Sequence, residues 1–387
     1  MGPKPDCREY RGDRPCRHNR LCPGCPHYRP VGTRVLIVKL SHRGDVLRTT
    51  PLLRGLRRRY PDAHVTWLTA PDAVELLRNN EYIDVLLEYS LRSIVALQGQ
   101  RFDVLISLDK EPHAAALAQL LNADRRLGFG LHETGRPEPL GPSAEYAFAL
   151  GLSDDLKFRQ NIKTYQELVF DIAEIPYERD EYVLPVAPES AEWGRRWLQA
   201  AGAPSGAPLV GLAPSAGEMW PTKAWPVANC ADFTRAVGDR LDAAVVLLGA
   251  PDERKRSREI AERSQSDPMN ATGKTTIPQL CGLIGHCDAV VATDTLAMHV
   301  GIALRKPVVA LFGPTCPQEV DLYDRGVKLT PTSECAPCYR ATCDLARRPS
   351  GGDPCCMAGH SAEAVLKALA TVMGNERSRR SEPRSDS

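Results

Sequence analysis

Two successive doubly wound α/β domains are the fold this 387-residue chain predicts, and three observations predict it. A chain of this length exceeds one ordinary domain and suits two of about 150–200 residues. Apolar runs such as Val35-Leu36-Ile37-Val38 and Val308-Val309-Ala310-Leu311-Phe312 recur between helical segments, as strands buried on both faces of a parallel sheet require. The alternation stops at a polar, proline-spaced stretch, 176–188, and then restarts. Composition fits a globular protein, with 43% apolar and 25% charged residues. Lys plus Arg (49) against Asp plus Glu (48) leaves a formal charge of +1, no electrostatic basis for general nucleic-acid binding. No run of 18 apolar residues occurs, so no membrane span is expected.

The elements follow in order. Residues 1–32 form a Cys-, Arg- and Pro-rich leader without helical or strand period. Its first 30 residues carry no apolar stretch of signal-peptide length, which points to a cytoplasmic protein. A first domain is expected over 33–180, with strands at 35–38, 65–68, 85–87 and 104–108 and helices near 71–78, 112–121 and 160–174. Pro51 either kinks the helix after Asp45, or regular helix begins with Thr50 as N-cap and Pro51 at its first position. The glycines and prolines of 128–142 read as a loop. A second domain is expected over 181–373, with strands at 209–212, 244–248, 289–292 and 308–312 and helices near 190–200, 227–238, 252–264, 277–285 and 295–304. The Arg/Ser-rich tail 374–387 reads as disordered.

Open α/β sheets bind ligands beyond their C-terminal strand ends, near helix N-termini. Three loops lie there. The first is Lys39-Leu40-Ser41-His42-Arg43-Gly44-Asp45, where Gly44 permits close backbone approach and Asp45 is a proton acceptor or a plain N-cap. The second runs from Ala213 to Pro226, with Thr222, Lys223 and two tryptophans. Its lysine is a phosphate partner or a solvated side chain. The third is Asp294-Thr295-Leu296-Ala297-Met298-His299, which joins a buried strand to a short helix whose free N–H groups suit an anion. There is no Walker A loop and no G-x-G-x-x-G, so ordinary triphosphate or dinucleotide binding is not expected.

Taken in order, these segments resemble glycosyltransferase family 9, the ADP-heptose:lipopolysaccharide heptosyltransferases. The matching text is Val35-Leu36-Ile37-Val38-Lys39, Gly44-Asp45-Val46-Leu47 and Thr50-Pro51-Leu52-Leu53, then Lys223-Ala224-Trp225-Pro226, Asp294-Thr295 with Met298-His299, and Val308 through Thr315. Where the family pattern often has Gly two places after the Asp, this chain has Leu296. The resemblance implies a GT-B fold, with acceptor on the first domain and nucleotide sugar mainly on the second. It implies that Asp45 is the general base, Lys223 the donor-phosphate lysine, Asp294 and Thr295 the donor-binding pair, and His299 the histidine one turn on. Arg43, Gly44 and Thr222 complete the expected substrate-binding set.

The chemistry agrees with elementary expectation. A carboxylate can take the acceptor hydroxyl's proton as it attacks the anomeric carbon. A lysine and helix-end N–H groups can stabilise the departing diphosphate. No D-x-D triplet occurs, so no catalytic cofactor or donor metal is expected. One displacement implies inversion. The expected partners are a nucleotide sugar, ADP-heptose first, and a lipid-linked glycan acceptor at the inner membrane surface, which makes the enzyme peripheral there. An acidic, phosphorylated acceptor calls for cations, and Arg43, Arg48, Lys110, Arg125 and Arg126 lie at suitable first-domain positions. A nucleotide-sugar epimerase of similar fold and a non-catalytic metal or redox protein are the alternatives.

The last alternative arises from the cysteines. Of thirteen, nine fall in two groups: Cys7, Cys16, Cys22 and Cys25, and Cys335, Cys338, Cys343, Cys355 and Cys356. Each group contains a C-x2-C pair, and the second resembles cysteine patterns near the C-terminus of some family members. Four thiolates suit tetrahedral zinc and equally an iron–sulfur cluster. The expected ligands are Cys7, Cys16, Cys22, Cys25, Cys335, Cys338, Cys343 and Cys356, with His18, His27 and His360 as spare donors. The competing reading is unligated thiols. A structural role is expected, because neither group falls in the three strand-end loops.

Overall fold

The computed structural model describes residues 2–343 and 354–381. Strands β1 (Arg34–Val38), β2 (His64–Thr69), β3 (Val85–Glu88), β4 (Arg101–Ser107), β5 (Asn122–Leu131) and β6 (Pro137–Pro139) form one sheet in the order β3-β2-β1-β4-β5-β6. Strands β7 (Leu209–Ala213), β8 (Ala244–Leu247), β9 (Met269–Asn270), β10 (Ala289–Thr293), β11 (Val308–Leu311) and β12 (Gly326–Leu329) form the other, in the order β12-β11-β10-β7-β8-β9. All pairings are parallel except β5 with β6. Each sheet has an apolar cluster on both faces, which is why the central strands read as continuous apolar runs.

In each sheet the strand order reverses beside the first strand of the domain, between β1 and β4 and between β7 and β10. Such switch points open a crevice at the C-terminal strand ends. All three loops singled out from the sequence leave strands that border one of these crevices.

The stretch read as a loop at 128–142 holds most of β5's apolar end and all of β6. Gly128 is required there rather than disruptive. It has φ +96°, and a Cβ would lie 1.8 Å from the Ser107 carbonyl oxygen of β4. The helix begins at Tyr165, not 160, capped by Thr164 and Glu167 in reciprocal hydrogen bonds. Two helices, Arg43–Thr49 and Leu52–Arg59, replace the single kinked one, with Pro51 itself as N-cap. The Thr50 hydroxyl instead donates to Leu47 O and accepts the Val183 N–H. The C-terminal helix Ala362–Ser381 runs into the tail expected to be disordered; residues 382–387 lie outside the described residues. No helix among the described residues is long and apolar enough to cross a membrane.

Helices Pro188–Ala200 and Ile277–Gly285 cross at Gly194 and Gly282, where an added Cβ on Gly282 would lie 2.0 Å from Ser190 O. Gly282→Ala should therefore destabilise by about 1–3 kcal/mol, the usual cost of overpacking, seen as a lower thermal midpoint. Gly285→Ala, which meets nothing within 4 Å, should leave the midpoint unchanged.

Candidate active site

After β1 the chain turns into the helix Arg43–Thr49, with His42 as N-cap and Asp45 in the first turn. Asp45 is thus inside the helix, not its cap. Its carboxylate lies 3.0 Å from Arg48 Nε and 3.9 Å from His42 Nδ1, and its side chain is 32% exposed. Burial pushes this carboxyl's pKa up, but Arg48, His42, Lys39 and His299 outweigh it and hold it well below the usual carboxylate range. A carboxylate kept ionised and reachable can accept a proton from an incoming hydroxyl.

The loop is held from beneath by the buried pair Lys39–Asp109, which spans the first switch point. Lys39 also donates to Ser41 O, and Asp109 accepts the N–H groups of Leu40 and Ser41. Burial pulls the Lys39 ammonium down, and Tyr165, Asp109 and Asp45 more than offset it, so it stays charged.

The second switch point carries a matching pair. Lys223 Nζ donates to Asp294 O at 3.0 Å and to Asp294 Oδ2 at 3.2 Å. His299 Nε2 lies 3.6 Å from Asp294 Oδ1, and its Nδ1 shares a hydrogen bond of 3.2 Å with Tyr182 OH. Burial raises the Asp294 pKa, but the Lys223 charge and a hydrogen bond from His299 keep it well below the ordinary range. Burial lowers the His299 pKa. Thr295 is the N-cap of helix Leu296–Ala303, yet its side chain makes no cap bond. The buried hydroxyls of Thr293, the last residue of β10, and of Thr295 and Thr315, just beyond the ends of β10 and β11, have no partner. Unpartnered donors at a helix N-terminus are what an anion would use.

The two half-sites touch. An added Cβ on Gly44 would lie 3.0 Å from His299 Cδ2, so glycine here admits the other domain's histidine rather than a ligand. Arg48 stacks on the Tyr165 ring at 3.8 Å and reaches Glu319 Oε2 at 4.0 Å. Glu319 accepts from Tyr339 OH at 2.7 Å. Tyr339 packs against Phe158 and edge-on to Trp220, with Lys157 3.5 Å above its ring.

The family model for glycosyltransferase family 9 (heptosyltransferase) matches residues 91–347. The chain belongs to glycosyltransferase family 9. Lipopolysaccharide heptosyltransferase 3 of Escherichia coli is 27% identical over 297 residues, 71% of this chain and 82% of that protein. A family 9 glycosyl transferase from Veillonella parvula superposes with TM-score 0.71 at 21% identity, covering 89% of this chain and 98% of that one. The E. coli ADP-heptose lipopolysaccharide heptosyltransferase II superposes with TM-score 0.65, also at 21% identity, covering 89% and 99%. The fold is GT-B, and the protein is a glycosyltransferase.

Within this family 9 enzyme, Gly44, Asp45, Lys223, Asp294, Thr295 and His299 gather at one cleft. Thr222 lies beside it, with its hydroxyl donated to Arg340 O at 2.6 Å. Arg43 turns aside to Asp72 at 3.0 Å. Of the expected acceptor cations only Arg48 faces the site directly. Arg125 pairs with Glu174 and Arg126 donates to three backbone carbonyls. Lys110 donates to Ala147 O and Phe148 O, and burial pulls its pKa to about 8. The wall residues Tyr165, Tyr182, Glu319 and Tyr339 were not marked by any motif; only their packing reveals them.

The cysteines depart from expectation. Among the described residues no three His, Cys, Asp or Glu side chains are grouped to hold one metal ion. Cys356, an expected ligand, is buried against Gly313, whereas its neighbour Cys355 brings Sγ to 3.8 Å from Cys335 Sγ. Adjacent residues on a helix point about 100° apart, so only one of the pair can face the loop. His360, an expected spare donor, is bonded to Phe312 O. The C-terminal group also does not miss the cleft. Cys338 and Tyr339 donate their N–H groups to Pro314 O, and this anchors Tyr339 in the site wall.

The Lys223–Asp294 pair has a pH signature. A carboxyl depressed in the folded state adds stability that is fully present above its ordinary value of 3.8 and is lost only as pH falls below that value toward its lower folded-state pKa. Lys223→Ala should therefore lower the melting midpoint about as much at pH 5 as at pH 7, and the gap to the parent protein should narrow only below about pH 4. A gap independent of pH would place the loss in packing against Trp220.

Proposed function

We propose that this enzyme transfers heptose from ADP-heptose, with inversion, to a lipopolysaccharide core or a related glycolipid. The heptosyltransferase relatives support the sugar and the acceptor class. The observation that carries the mechanism is the meeting of Asp45 with Lys223, Asp294 and His299 across one cleft, each set at the switch point of its own sheet.

In this reading the acceptor glycan lies on the first domain with its hydroxyl at Asp45, and the donor lies on the second. The hydroxyl oxygen attacks the anomeric carbon, the bond to the diphosphate oxygen breaks, and Asp45 takes the proton. Lys223 turns from Asp294 to the diphosphate, joined by the free N–H groups ahead of Leu296 and by Thr295. Arg48 keeps Asp45 ionised before the attack. No cofactor takes part. The acceptor's lipid places the enzyme at the cytoplasmic surface of the inner membrane.

Three experiments test the reading. With ADP-heptose and heptose-deficient lipopolysaccharide core, the product should gain one heptose by mass spectrometry, and NMR should show an inverted anomeric centre. Turnover of ADP-heptose to an epimer without acceptor would overturn it. Asp45→Asn, which keeps the shape of the side chain, should lower kcat by about 100-fold or more with the melting midpoint nearly unchanged. Full activity of the folded variant would remove Asp45 from the mechanism. Lys223→Ala should weaken ADP binding by about 1.5–3 kcal/mol, the scale of a charged hydrogen bond, and adenosine binding much less. Equal losses for both ligands would assign Lys223 a purely structural part.

A further inference from the structure

The leader poses a physical problem that the transfer reaction does not solve. Not one of residues 2–33 is buried, and the segment has no helix or strand beyond the single bridge Cys7–Pro30. About thirty ordered residues must overcome more than 30 kcal/mol of conformational entropy at 1–2 kcal/mol each. With no core of its own, such a segment needs a staple.

What the leader does have is a cavity of about 420 Å³ lined by all four of its cysteines, Cys7, Cys16, Cys22 and Cys25, and by His18 and His27. All four thiols are free. The backbone treats the four alike. The carbonyls of Cys7, Cys16, Cys22 and Cys25 each accept the N–H three residues on, from Tyr10, Asn19, Cys25 and Tyr28. Each cysteine thus opens its own turn, and all four residues line one cavity. The same cavity is lined by the cations Lys4, Arg11, Arg14 and Arg20 against one acid, Glu9. That balance suits an anionic occupant.

We infer that the leader cavity is an iron–sulfur cluster site with Cys7, Cys16, Cys22 and Cys25 as its four thiolate ligands. A single zinc ion holds its sulfurs at about 2.3 Å, which draws four of them into mutual contact. These four residues line a cavity of about 420 Å³ instead, and no three His, Cys, Asp or Glu of the described residues converge as one ion requires. A cluster ligated by four cysteines spaces the thiolates farther apart and fills such a cavity. The site lies away from the cleft. Arg8 ties the leader to Asp84 at 3.0 Å and to Ala63 O at 2.9 Å, next to the N-terminal ends of β2 and β3 and opposite the catalytic loops. The cluster's task there is to fold the leader.

The test uses the full chain purified without oxygen. Iron and acid-labile sulfide should be found in equal amounts, about two or four of each per chain, with the visible absorption of an iron–sulfur chromophore. Cys22→Ser/Cys25→Ser should lose iron, sulfide and colour, and should become cleavable by protease within residues 2–33. It should bind ADP as the parent does, which shows that the catalytic domains are folded. Cys335→Ser/Cys355→Ser should keep the leader's cluster. One zinc per chain that the leader variant loses, iron that the leader variant retains, or a parent chain with neither metal would each overturn the inference.

Discussion

Two carboxylates from different domains, Asp45 and Asp294, stay ionised in one cleft, and the surrounding structure supplies the partners that make this tolerable. Burial raises the pKa of both. An unpaired buried charge costs several kcal/mol, so each has its own partners, Arg48 and His42 on one side and Lys223 and His299 on the other. The Arg48 charge acts on both carboxylates, and the His299 side chain lies against Asp294 and beside Gly44. The two half-sites are therefore electrostatically one site, although they belong to separate sheets.

The fold delivers these groups by one device used twice. At each switch point a lysine from one strand end meets an aspartate from the neighbouring one, Lys39 with Asp109 and Lys223 with Asp294. The two pairs differ in accessibility. Lys39 and Asp109 are each about 4% exposed and lock the loop that carries Asp45. Lys223 and Asp294 are each 14% exposed. The same geometry is thus sealed in one domain and more accessible in the other, where the proposed mechanism uses the lysine.

That Asp45, Lys223, Asp294 and His299 come together was legible because each stands at a fixed offset from a strong apolar strand, and strand ends are where such sheets bind ligands. Tyr165, Tyr182, Glu319 and Tyr339 were not legible, because aromatic and acidic residues in helices and loops carry no local mark of the cleft they will line. Strand β5 was missed for a related reason. Gly128 signals a turn in isolation, and only the Ser107 carbonyl against it shows that a strand needs it. The C-terminal cysteines were misplaced because sequence distance from the motifs says nothing of the Pro314 carbonyl that draws Cys338 and Tyr339 back to the site.

By itself the sequence determined the fold class, the doubling of the α/β unit, the three strand-end loops and the family. All of these are written in local periodicity and short spacings, which survive without knowledge of neighbours. Only the tertiary structure decided that Gly44 serves His299, that Arg43 turns away to Asp72, that Arg48 acts on both half-sites, and that four leader cysteines surround one cavity. Those outcomes depend on contacts between residues far apart in the chain, and the energies of burial and charge that settle them exist only once the chain has closed on itself.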